Sequence, residues 1–185
     1  MSHTPTLPPA LSGDRIEIDS RAGRLSYYVA GPADGAVAPT DATPLLLLHS
    51  INAAGSACEV RPLFEHYRQR RPVYALDLPG FGFSERSDRP YLPRLMTDAV
   101  HAMVDEIQRV QGAVAIDVIG VSLSSEYVAR AAQEAPARFR SVALSVRRAS
   151  TAEHRSTAHR AATAALPGCV GSSSTRSGAT GSIAG

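Results

Sequence analysis

Four short apolar runs do most to restrict the fold of this chain. They are LLLLH (residues 45–49), PVYALDLPG (72–80), VAIDVIG (114–120) and FRSVALS (139–145). The first three lack strict polar–apolar alternation, so both faces of each need cover, as in central strands of a parallel sheet. Helical spacing fills the gaps between them. Residues 56–70 set Val60, Leu63, Phe64 and Tyr67 on one face. Residues 96–110 do the same with Val100, Met103, Val104, Ile107 and Val110, and Thr97 or Asp98 is placed to cap that helix. A third helix is expected over Ser124 to Glu134. Upstream, RIEIDS (15–20) and RLSYYVAG (24–31) flank the turn RAG and predict a hairpin. Alternating strands and helices predict an α/β fold, with βαβ units around a mostly parallel sheet of about six strands.

Composition divides the chain. Its 185 residues, 44% hydrophobic and 19% charged, fit one globular domain. Residues 1–145 hold 14 arginines against 16 acidic residues, whereas residues 146–185 hold five arginines and only Glu153. Of those last 40 residues, 31 are Ala, Ser, Thr, Gly or Arg and four are Val, Ile or Leu, too few to bury a core. The expected organisation is a flexible N-terminus (1–14), a globular unit (15–145) and a disordered low-complexity tail (146–185). All 19 basic residues are arginine, which folding does not demand and a GC-rich gene would explain. The tail arginines are spread thinly without aromatic neighbours, which argues against nucleic acid as a partner. No basic leader with an apolar core opens the chain, and four leucines are too few to span a membrane. A cytoplasmic protein with two free thiols, Cys58 and Cys169, is expected.

Three motifs carry the chemistry. LLLLHSINAAGS places His49 and Ser50 directly after a buried strand, DLPGFGFSERSDRPY (77–91) follows the next, and Gly120-Val121-Ser122-Leu123-Ser124 joins a strand to a helix. The second is no P-loop, since no Gly-Lys-Ser/Thr follows, and its glycines lack dinucleotide-binding spacing. Taken together and in this order, the three resemble the serine-nucleophile branch of the α/β-hydrolase superfamily. The resemblance covers residues 15–145 and implies an incomplete sheet, about six of eight strands.

It also implies roles. Ser122 would be the nucleophile, presented on a strained turn, and would form a covalent acyl intermediate without metal or organic cofactor. The backbone N–H groups of Leu123 and of Ile51 or Asn52 would hold the oxyanion. His49, Asp77, Gly80, Gly82, Gly120 and Ser124 would be structural, with Ser124 standing where the family has glycine and Ser50 likewise. A serine at position 122 separates the chain from branches that place aspartate there. The substrate would be a small ester or related acyl compound. A carbon–carbon bond hydrolase, a cofactor-free perhydrolase and a non-catalytic binding module are the alternatives.

The triad order is Ser, then an acid, then His. After the elbow helix the sequence offers only Glu153, His154 and His159. Adjacent Glu and His side chains point apart and do not make the required relay. The expectation is therefore a truncated, inactive hydrolase whose tail arises from a frameshift.

Overall fold

The computed structural model describes residues 9–32 and 43–145. Six strands form one sheet: β1 (Asp14–Ser20), β2 (Gly23–Ala30), β3 (Leu45–Leu48), β4 (Val73–Asp77), β5 (Ile116–Val121) and β6 (Phe139–Ser145). Their spatial order is β1-β2-β4-β3-β5-β6. The β1–β2 and β2–β4 pairings are antiparallel, and β4, β3, β5 and β6 run parallel. The expected α/β class, sheet of about six strands and hairpin are all present among the described residues. The calls on the tail (its disorder, Cys169, Glu153, His154 and His159) lie outside the described residues, as does the lead-in before residue 9.

Both faces of the central strands are covered. On one side lie α2 (Pro93–Gln111) and α3 (Ser124–Glu134), packing Val100, Met103, Val104, Ile107 and Val128 against Leu46, Leu48, Leu76 and Val118. On the other, α1 (Arg61–Tyr67) and the 3-10 turn before it (Ala57–Val60) bring Phe64 and Val60 onto Leu45, Leu47, Val73 and Ala75. This is why β3 reads as four consecutive leucines, all buried.

Three local expectations need correction. The first concerns α2, which begins at Pro93, not near Thr97, with Leu92 as an N-cap that makes no side-chain bond. Proline at the first helical position has no N–H to satisfy and a φ already suited to a helix. Thr97 Oγ1 instead donates to the Pro93 carbonyl and Asp98 pairs with Arg94. Val100, Met103, Val104 and Ile107 of α2 are fully buried at about 1.5–3 kcal/mol each, which outweighs the roughly 1 kcal/mol of a missing cap. Val110, placed on the apolar face by its spacing, is half exposed. Finally, the lead-in is not wholly loose. Leu11 is buried in the core beside α1, and the Ala10 N–H donates to Tyr28 Oη.

Candidate active site

Ser122 follows β5 directly and is the only non-glycine among the described residues with positive φ, at +56°. Such a conformation costs an L-residue of order 1–2 kcal/mol and persists only where neighbours enforce it. Here the Ser122 N–H donates to the Ser145 carbonyl at 2.6 Å, and its own carbonyl accepts from the Ser125 N–H at 3.0 Å. The turn therefore hangs between β6 and the first turn of α3. Helix and strand approach closely: a Cβ on Gly120 would meet Ser125 Cα and Val128 Cγ2, each at 3.1 Å. Hence the small residues around the elbow.

Ser124 fits in a way that its size alone did not reveal. It is fully buried, and its Oγ donates to the His49 carbonyl at 2.5 Å. Where the family carries glycine, this chain ties the elbow helix to the loop that follows β3. The strand register brings those two segments side by side. Leu48 pairs with Gly120 in adjacent parallel strands, so Ile51 and Leu123 stand three residues beyond paired positions. Among the described residues neither the Ile51 nor the Leu123 N–H has a protein acceptor.

His49 is fully buried and fixed on both ring nitrogens. Its Nε2 accepts from the Leu78 N–H at 3.1 Å, so Nδ1 carries the proton and donates to the Ser50 carbonyl at 2.7 Å. Burial pushes its pKa below the usual value, against the opposing pull of that bond and of nearby Asp77 and Glu59. It is a neutral loop-structuring residue. Asp77 is architectural too. Its carboxylate accepts from the Ala57 N–H at 2.8 Å and the Phe83 N–H at 3.0 Å. Gly82, at φ +49°, leaves room for it, because a Cβ there would fall 2.0–2.2 Å from the carboxyl group. Gly80, at φ +84°, is packed by the Tyr91 ring. Ser84 Oγ donates to the Asp77 carbonyl and accepts from the Ser26 N–H, pinning this loop to β2.

Sequence reasoning missed the inner wiring of the loop after β3. The Glu59 carboxylate accepts from the Ser50 N–H at 2.8 Å and from Ser50 Oγ at 2.7–2.8 Å. Asn52 Nδ2 donates to Ser50 Oγ at 2.6 Å, and Asn52 Oδ1 caps the Ala54 N–H. Gly55 closes over this turn; a Cβ there would meet the Ser50 carbonyl at 2.7 Å. The one available signal was Ser50 itself, standing where glycine is usual.

Among the described residues no histidine is bonded to Ser122. Of the chain's six histidines, His49, His66 and His101 are described. His49 faces Leu78, His66 lies against Arg70 on α1, and His101 Nε2 meets Glu134 Oε2 at 2.9 Å between α2 and α3. Two open hollows of about 630 and 580 Å³ lie beside β1 and α2 and around Phe83, and neither includes Ser122.

A family model described as the alpha/beta hydrolase fold matches residues 43–163. The chain belongs to the α/β-hydrolase fold family. That match runs past the compositional break at 145. Solved hydrolases share the architecture. Naproxen esterase of Bacillus subtilis superimposes with a TM-score of 0.56 at 22% identity, over 70% of this chain and 41% of its own. An epoxide hydrolase of Vigna radiata gives 0.58 at 12%, over 71% and 39%. A lidless serine hydrolase of Xanthomonas campestris gives 0.54 at 17%, over 72% and 61%. The chain thus spans less than two thirds of each. At these identities the likeness is one of fold. No curated protein sequence matches the chain. No helix among the described residues is long and apolar enough to cross a membrane.

Proposed function

We propose that this α/β hydrolase carries the nucleophile half of a serine acyl-transfer site. The observation that carries the reading is the left-handed backbone of Ser122 at the end of β5, flanked by the unpartnered Leu123 and Ile51 N–H groups. Ser122 Oγ attacks the acyl carbon of a small ester, and its proton passes to a base. The two N–H groups hold the oxyanion, the C–O bond breaks, and the alcohol leaves with a proton. Water then releases the acid and restores the hydroxyl. No metal or organic cofactor enters these steps.

None of the three described histidines is bonded to Ser122, and we expect low turnover on that ground. A base in cis would have to be His3, His154 or His159. A fluorophosphonate probe tests this. We expect slow labelling confined to Ser122 and abolished in Ser122→Ala. Rapid labelling with high esterase turnover would show a complete triad, and His154→Ala and His159→Ala would then locate its base. For the tail we propose a change of reading frame. Sequencing the gene should reveal further strands, an acid and a late histidine in another frame downstream of codon 145; their absence from both frames would sink the idea.

A further inference from the structure

We infer that Glu59 is a positioning residue of the oxyanion loop, holding it through Ser50 so that the next amide, Ile51 N–H, is left for the substrate. The inference rests on Ser122 being the nucleophile. Every polar atom of Ser50 is engaged. Its N–H and Oγ–H go to the Glu59 carboxylate, its Oγ also accepts from Asn52 Nδ2, and its carbonyl accepts from His49 Nδ1–H. On the other side of the same loop the His49 carbonyl accepts from Ser124 Oγ. The loop is therefore fastened at two points, to the 3-10 turn by Glu59 and to α3 by Ser124. Between these ties the backbone has little freedom, and Gly55 packs against the Ser50 carbonyl from above.

Preorganised donors are effective because they need no rearrangement as charge develops, so a loop that relaxes loses part of the benefit even with its N–H intact. Bonds to a carboxylate are also about twice as strong as neutral ones, which suits Glu59 to this task. Both serines occupy positions where the family pattern has glycine, and both hydroxyls are spent on holding this one loop.

The test is fluorophosphonate labelling resolved into KI and kinact, together with amide hydrogen exchange of the peptide covering residues 49–55. Glu59→Ala should lower kinact about tenfold with KI little changed, less than the ~10²–10³-fold of losing an oxyanion donor outright. It should also speed exchange of the Ser50 amide without affecting β5. Glu59→Gln, whose Oε1 still accepts from the Ser50 N–H, should recover most of kinact. Should Glu59→Ala fail to fold, Ser50→Ala removes the hydroxyl bonds and keeps the Cβ, and should lower kinact in the same direction. Unchanged exchange in Glu59→Ala overturns the inference. So does unchanged kinact where Ser122→Ala abolishes labelling, an outcome that leaves the nucleophile assignment standing. Absence of any Ser122 adduct in the wild-type chain overturns that assignment instead, and the exchange measurement still decides whether Glu59 anchors the loop.

Discussion

Ser124 and Gly82 show how differently a small residue can be required. At position 82 the demand is absolute, since a φ of +49° and a carboxyl group 2.0–2.2 Å from any Cβ leave space for hydrogen only. At position 124 the chain departs from the family glycine, and the departure has been absorbed. The hydroxyl is buried and donates to a carbonyl, so removing it leaves the His49 oxygen without that donor in a dry site. A glycine there would also free the backbone at the first turn of α3, where Ser124 is already helical. Both effects act in one direction. Ser124→Gly, although it restores the family residue, should destabilise the chain by about 1–2 kcal/mol, read as a lower urea midpoint with an unchanged slope. A gain in stability would show that the serine is merely tolerated.

Among the elements, β5 and β6 are joined at the end opposite the elbow by Asp117. This buried carboxylate accepts from Arg71 Nη1 at 2.5 Å, Arg140 Nη2 at 2.6 Å and Ser141 Oγ at 2.6 Å, so it also reaches the segment before β4. Burial works to raise its pKa, but the bonds from Arg140, Ser141 and Arg71 outweigh that and hold it below the usual carboxylate range. A depressed folded-state pKa means that the unfolded chain binds the proton more readily. The stabilisation is therefore full above the ordinary aspartate pKa of about 3.9 and is lost as pH falls through the lower, folded value. Asp117→Asn should cost about 3 kcal/mol at pH 7, the low end for a broken buried pair because Arg140 stays partly open to solvent. Its stability should also vary less than wild type between pH 5 and pH 2, as followed by thermal melts across that range. A parallel pH dependence in the two proteins would show that other carboxylates carry the acid sensitivity.

For the molecule as a whole, what could be read from the sequence was what is local. The turn at Ser122 was legible because strand, turn and helix are contiguous there, and β3 because four leucines need cover on both faces. The Ser50–Glu59 bond was not, since it depends on how nine residues of loop fold back. Nor was the reach of Arg71 to Asp117 across 46 positions. Val110 failed for a related reason: periodicity names a face but not what covers it. The same distinction applies to the two edges of the sheet. β1 carries Asp14, Arg15, Glu17 and Asp19, charges that discourage another strand from pairing. β6 carries only Arg140, and that side chain is drawn to Asp117, while Leu144 is 47% exposed. Among the described residues nothing pairs with its outer side. Self-association should therefore proceed through β6 and not β1. Light scattering of the purified chain should show a mean mass rising with concentration. Leu144→Lys should suppress that rise with little loss of stability, because the side chain is already half in water, whereas Ile16→Lys on β1 should leave it unchanged. Equal suppression by both variants would place the contact elsewhere.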